Sequence, residues 1–170
     1  MNDGAGTLSH EVLIALRRII RAVDIHSRRL SRDFGLTGPQ LLILNETATA
    51  DRVLIGTLAK NVHLSQATVT IIVDRLEEHL LVKRERDSRD KRRVWVSLTD
   101  KGKQVLAGGP HLLQDTFLDN LGNLNSEEQQ SILSALQKVA RMMDAENLPV
   151  APILGLEPLP EATSLEEKPR

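Results

Sequence analysis

Residues 54–98 read LIGTLAKNVHLSQATVTIIVDRLEEHLLVKRERDSRDKRRVWVSL, and the fold turns on how this stretch is divided. Ser65 stands where a helix N-cap belongs. Val69, Ile72, Val73 and Leu76 follow at i, i+3, i+4 and i+7, the spacing of one buried helical face, which predicts a helix running to about His79. Upstream, Leu58, Ala59 and Val62 form the inward face of a shorter helix from about Ile55 to Asn61, and His63-Leu64 is the break between the two. Two short helices across a tight turn make a helix-turn-helix pattern. Downstream the period changes from 3.6 to about 2. Leu81-Val82-Lys83-Arg84 opens one strand, and Val94, Val96 and Leu98 alternate with Trp95 and Ser97 in a returning one. The charged residues between them become the tip of a hairpin, or wing.

Working outward, Leu13, Leu16, Ile20 and Val23 predict a first helix over residues 10–32, after a loose arm at 1–9. Asp33-Phe-Gly35 stops it. Thr37-Gly-Pro39 starts the next, with Thr37 as cap and Pro39 in the first turn, where a missing N–H costs little. That helix carries Leu41, Leu42, Leu44 and Ala48 to about Thr49. Beyond the wing, Thr99 caps a helix over 100–107, and Gly108-Gly-Pro110 breaks it. A helical pattern resumes at 111–121 with Leu113, Phe117 and Leu121. A last helix is expected from a capping box between Ser126 and Gln129 to about Glu146, with Ile132, Leu136, Val139 and Met143 as its stripe. Residues 148–170, with Pro149, Pro152, Pro158, Pro160 and Pro169 among small and acidic side chains, read as an extended or disordered tail. The expected fold is mainly α with a small β-wing: a winged helix-turn-helix at 37–98 inside a helical region made of 10–36 and 99–147.

Composition narrows the function. The chain has 170 residues, enough for one domain or two joined subdomains, and only 2% are aromatic, so Leu, Ile, Val and Ala must build the core. So few aromatic side chains argue against single-strand nucleic-acid platforms. With no Cys, disulfides, thiolate metal sites and thiol redox sensing are excluded. No signal peptide and no uncharged 18-residue apolar run is found, so no membrane partner and a cytoplasmic location are expected. Net charge is −1, but it is unevenly spread. Lys83 to Arg93 holds seven bases against three acids, whereas Asp144 to Arg170 holds six acids against two bases. A basic patch able to meet phosphates is hidden by a neutral average.

These features assign duplex DNA as the expected partner. With its apolar stripe turned inward, the helix after Ser65 would present Gln66, Ala67, Thr68, Thr70 and Ile71 to a major groove. Gln66 suits adenine, the two threonines suit a base or phosphate, and Ala67 and Ile71 suit thymine methyls. Ser65 and the helix N-terminus suit a phosphate. Lys83, Arg84, Arg86, Arg89, Lys91, Arg92 and Arg93 supply the electrostatic half, at phosphates or the adjacent minor groove. Asp87 and Asp90 are expected to pair with neighbouring Arg side chains and fix their directions.

The motifs Ser65-Gln-Ala-Thr-Val-Thr70, Val73-Asp-Arg-Leu-Glu77, Leu81-Val-Lys-Arg84, Asp87-Ser-Arg-Asp-Lys-Arg-Arg93 and Val96-Ser-Leu-Thr-Asp-Lys-Gly102 resemble those of the MarR-type winged-helix regulators, over about residues 10–147. The resemblance implies a homodimer with intertwined terminal helices on a pseudo-palindromic operator, usually as a repressor. It also implies release by a small, often phenolic, ligand in a cleft between dimerisation and DNA-binding regions. By position, Ser65, Gln66, Thr68 and Thr70 resemble the family's recognition-helix contacts, and Asp87, Arg89 and Arg92 its wing residues. In many relatives the wing Asp and Arg also make salt bridges back to the recognition-helix region. Two positions depart from the pattern. Ile71 stands where Arg is common, leaning the readout toward thymine methyls. Leu80 stands where Gly is common at a helix end; a left-handed backbone strains Leu, so a different turn into the wing is expected.

Other chemistries find less support. Asp24 and His26 are two residues apart and point to different helical faces, His63 and His111 lie at breaks, and Asp74 and Glu77 sit among ordinary helix-surface charge. No nucleophile–base, paired-carboxylate, metal or cofactor motif emerges. The alternative from another class is a winged helix used only for protein interaction. Arg17, Arg21, Arg28 and Arg29 on the first helix either line a cleft for an acidic effector or are plain surface charge.

Overall fold

The computed structural model describes residues 3–90, 93–148 and 153–154. Among these residues, seven helices and three short strands follow in the order α1 (Asp3–Phe34), α2 (Gly38–Thr47), β1 (Val53–Leu54), α3 (Ile55–Asn61), α4 (Gln66–Glu78), β2 (Val82–Arg86), β3 (Val94–Leu98), α5 (Asp100–Ala107), α6 (Leu113–Gly122) and α7 (Ser126–Met142). The fold is mainly helical, with a small three-stranded sheet ordered β1-β3-β2, antiparallel throughout. The helix-turn-helix pair and the wing fall where the periodicities place them. β1 is an addition that the sequence reading lacks: two residues are too few to show alternation, and only pairing with β3 makes them a strand.

The core lies in the middle of the chain. Leu36, Leu41, Ile43, Leu44, Leu58, Val69, Ile72, Val73, Leu76, Val82 and Val96 are fully enclosed, so α2, α3, α4 and the inner face of the sheet close on one another. Thr37 caps α2 through a reciprocal capping box with Gln40, and Pro39 sits in the first turn. Among the described residues, α6 and α7 bury no side chain fully, and α1 buries only Leu30. Leu8, Val12, Ile19 and Ile20 of α1, and Phe117, Leu118, Leu133 and Leu136 of α6 and α7, stand exposed. No helix among the described residues is long and apolar enough to cross a membrane.

Several boundaries need correction. α1 begins at Asp3 rather than after a loose arm at 1–9. Leu8 and Val12 extend the apolar stripe one turn earlier. The cap of α7 is Asn125 rather than Ser126: Asn125 Oδ1 accepts the Glu128 N–H at 3.0 Å, and Glu128 answers to the Asn125 N–H at 3.1 Å. The helix stops at Met142 rather than Glu146, because Asp144 turns left-handed at φ +53°. In the tail, Ile153 is only 8% exposed and packs against Gly38, where a Cβ would overlap its Cδ1. At that point the tail is docked rather than free; most of it lies outside the described residues.

Leu80 corrects the expectation of an altered turn. It adopts the left-handed conformation (φ +60°) despite its side chain. The Leu81 N–H bonds to the Leu76 carbonyl and the Leu80 N–H to that of Glu77, both at 2.9 Å, closing a Schellman turn after α4. Leu80 is 66% exposed, so its side chain meets no wall, and the turn keeps the geometry that Gly would give. Thr99 fastens the other side: its hydroxyl donates to the Leu80 carbonyl at 2.6 Å and accepts the Gly102 N–H at 3.0 Å. Lys101 reaches the His79 carbonyl at the end of α4, at 2.9 Å. Gly102 lies so close to Leu81 that a Cβ would overlap the Leu81 carbonyl oxygen. The start of α5 is thus locked onto the turn that launches the wing.

Candidate nucleic-acid interface

α4 begins with Ser65 in the capping position. Its Oγ accepts the Thr68 N–H at 3.0 Å and lies 2.7 Å from Thr68 Oγ1. The apolar stripe Val69, Ile72, Val73 and Leu76 is buried as its spacing predicts. Gln66 and Ala67 are exposed at the head of the helix, and Thr70 and Ile71 are half-buried on the next turn, where Thr70 Oγ1 donates to the Gln66 carbonyl at 2.8 Å. Thr68 is the exception. It is 9% exposed and folds back onto the cap, so it is a structural residue rather than an outward contact. A threonine in the N3 position has an N-cap hydroxyl within reach, and that bond outcompetes the outward direction.

The hairpin sorts its charges by face. Val82, Arg84 and Arg86 share the face that meets α4, and Lys83 and Glu85 share the other, because side chains alternate along a strand. Arg84 belongs to a clamp. Its Nε donates to Glu77 at 2.8 Å, Nη2 to the same carboxylate, and Nη1 to Asp74, while the Arg84 N–H reaches Glu77 Oε1 at 3.1 Å. Both carboxylates are consumed in tying the wing to the back of α4, so Arg84 positions the wing instead of offering a free cation. Asp74 and Glu77 are therefore more than surface charge. Their i, i+3 spacing was visible, but their partner lies across a turn whose geometry sequence alone left open. Lys83 pairs with Glu85 at 3.3 Å on the far face, away from α4.

At the tip, Asp87 has partners that its spacing does not show. Its Oδ1 accepts the N–H groups of Arg89 at 2.8 Å and Asp90 at 3.1 Å, and its Oδ2 accepts the Trp95 indole N–H at 3.0 Å. It organises backbone and indole, and its two-residue reach makes an Asx-type turn. These bonds, the indole first, lower the carboxyl from 3.8 to about 2, with Arg93 adding to the effect. The Asp90 carbonyl accepts the Arg93 N–H at 2.9 Å, closing the tip. Arg86, Arg89 and Arg93 are exposed, while Lys91 and Arg92 lie outside the described residues.

Between α3, the head of α4 and the wing runs an open groove of about 640 Å³, lined among others by Lys60, Gln66, Thr70, Arg84 and Arg93. Lys60 was not anticipated; it falls on the solvent side of a seven-residue helix, too short for its faces to be told apart by spacing alone. Arg52 was also missed. Its guanidinium lies 4.5 Å from the centre of the Trp95 ring, a contact only the sheet register creates. Of the four first-helix arginines, Arg29 lines a small cleft of about 140 Å³ with His26, Leu30, Asp33, Phe34 and His111. Arg17, Arg21 and Arg28 face solvent, and Arg28 is paired with Asp24.

A helix-turn-helix followed by a basic hairpin defines a winged-helix nucleic-acid-binding protein, and comparison with known proteins places it further. The family model described as transcriptional regulator SarA/Rot matches residues 27–108. The transcriptional regulator HosA of Escherichia coli O111:H- is 33% identical over 132 residues, 77% of this chain and 96% of that protein. The crystal structure of the transcriptional regulator BldR from Sulfolobus solfataricus is 28% identical, with a TM-score of 0.51 over 84% of this chain and 99% of that one. A mutant MarR from Escherichia coli, solved with operator DNA, shares the fold at 22% identity and a TM-score of 0.51, over 82% and 97%. The chain belongs to the MarR/SarA family of winged helix-turn-helix transcriptional regulators. It is a DNA-binding transcriptional regulator.

Proposed function

We propose that the protein acts as a homodimer on a pseudo-palindromic duplex operator, as a repressor. The observation that carries this reading is the shared groove: the exposed Gln66 at the head of α4, the half-buried Thr70 one turn on, and the basic side chains Lys60 and Arg93 open onto the same concave surface. Gln66, Ala67, Thr70 and Ile71 face the bases, and Ile71 and Ala67 favour thymine methyls. Ser65 and the α4 N-terminus take a phosphate, and Arg86, Arg89 and Arg93, with Lys91 and Arg92, track the backbone or minor groove beside it. Arg84, Asp87 and Asp90 hold the wing in place.

The dimer is supported by the apolar faces of α1, α6 and α7, which the single chain leaves open. Residues 10–36 and 99–147 then form the dimerisation region. Two-fold symmetry sets the recognition helices about 34 Å apart, one turn of DNA. Repression needs no activating surface, only a dimer seated across a promoter. For a small acidic or phenolic effector, the candidate place is the cleft of about 140 Å³ between α1 and the loop before α6, where Arg29 offers a cation beside Asp33, His26 and His111.

The test is binding to duplex DNA selected from random sequence, followed over a salt series. A two-fold-symmetric site is expected. Arg93→Ala should weaken binding and lower the salt slope by about one, and Gln66→Ala should relax base preference with the slope unchanged. Wild-type affinity and slope in Arg93→Ala would sink the wing assignment.

A further inference from the structure

β3 is the central strand of the sheet, and Trp95 is its second residue, close to the wing tip. Register places Leu54 of β1 and Glu85 of β2 directly opposite Trp95. The diagonal neighbours on the same face are then Arg52 just before β1 and Asp87 just after β2, and diagonal positions lie within reach of a large aromatic side chain. Both contacts are made. The indole N–H donates to Asp87 Oδ2 at 3.0 Å, and the Arg52 guanidinium lies 4.5 Å from the ring centre. Asp87 in turn holds two backbone N–H groups of the tip through its other oxygen.

We infer that Trp95, braced by Arg52, is a positioning residue that holds the wing tip in its DNA-binding direction through Asp87. A two-stranded hairpin tip rich in cations has little reason to hold one shape, since like charges repel, and among its described residues Ser88, Arg89, Asp90 and Arg93 are exposed. Trp95 supplies the missing constraint from the rigid end of the sheet. Its ring is fixed by the central strand and by a cation over one face, and its N–H fixes the carboxylate that shapes the loop. Neither Trp95 nor Arg52 needs to touch DNA for this. The inference rests on the reading that the wing meets DNA.

Trp95 is the only tryptophan, so its indole resonance in ¹⁵N-labelled full-length protein reports the contact without assignment. The free protein should show a slowly exchanging indole N–H. Asp87→Asn, which keeps an oxygen for the two backbone N–H groups but loses the acceptor for the indole, should shift it and speed its exchange, and Arg52→Gln should speed exchange as well. On a selected operator, Trp95→Phe should lose roughly three- to tenfold in affinity with the salt slope unchanged, since no phosphate contact is removed. Adding Asp87→Asn to Trp95→Phe should cost nothing further, the mark of one shared interaction. A fast-exchanging indole indifferent to Asp87→Asn overturns the brace, whatever DNA does. So does full affinity in Trp95→Phe when Arg93→Ala weakens binding. Full affinity in both variants, with the indole still protected, rejects the wing–DNA reading and with it the positioning role.

Discussion

The winged-helix module and the terminal helices are built from the same residue types, yet they solve burial differently. In α2, α3, α4 and the sheet, apolar stripes converge and leave Leu44, Leu58, Val69, Val73, Leu76 and Val96 without solvent contact. In α1, α6 and α7 the stripes are as regular, but Leu133 is 47% and Leu136 48% exposed. The first region is finished within one chain and needs nothing more to be stable. The second shows water a face that a folded protein ordinarily covers, and a second copy of the same face is the complement that symmetry provides. Stability of the DNA-reading part should therefore be intramolecular, and that of the helical ends dependent on concentration.

The largest effect that separates the two regions comes from truncating their apolar residues. Leu76→Ala should cost about 2–5 kcal/mol, independent of protein concentration, because it opens a cavity in a closed core. Leu133→Asp with Leu136→Asp should instead yield monomers in sedimentation, with a lower melting temperature that no longer falls on dilution as that of the wild type does. Concentration-independent melting of the wild type would break the comparison.

Gly102→Ala comes next, at about 1–3 kcal/mol in chemical denaturation, since the added methyl meets the Leu81 carbonyl rather than a yielding side chain. Its damage falls where the start of α5 meets the turn after α4 rather than on the exposed faces of α1, α6 and α7, so the proposed dimer should persist. Leu80→Gly acts in the opposite direction. Removing a left-handed Leu from an exposed turn should stabilise the protein by up to about 1 kcal/mol, leaving DNA affinity unaltered.

The smallest effect is electrostatic. Asp87 is lowered in the folded protein to about 2, so its contribution is complete above its unfolded value near 3.8 and is lost as pH falls through about 2. Acid titration of wild type and Asp87→Asn should show a stability difference at neutral pH that closes between about pH 4 and pH 2. A difference that persists unchanged below pH 2 would assign it to packing instead of charge.

Most of the site's scaffold was legible because helices and strands carry their periods in the sequence. Ser65, Val69, Ile72, Val73 and Leu76 announced α4, and Val94, Val96 and Leu98 announced the returning strand. The roles of individual polar residues were less legible. Thr68 read as outward and is buried, Arg84 read as a free cation and is clamped, and the Asp87 bond to the Trp95 indole was not foreseen. Each error concerns a side chain whose partner is chosen by short-range geometry that spacing does not encode.

What the sequence determined by itself was the order and type of elements, the inward faces of α3 and α4, the caps at Thr37, Ser65 and Thr99, and the basic character of the wing. These follow from local physics: residue periodicity, capping chemistry and the sign of charge. What only the tertiary structure decided was β1, the left-handed turn at Leu80, the Arg84 clamp, the Arg52–Trp95–Asp87 array and the docking of Ile153 on Gly38. All of these join residues brought together by strand register or by a turn. Register is a property of pairing, and no single segment holds it until the chain has folded.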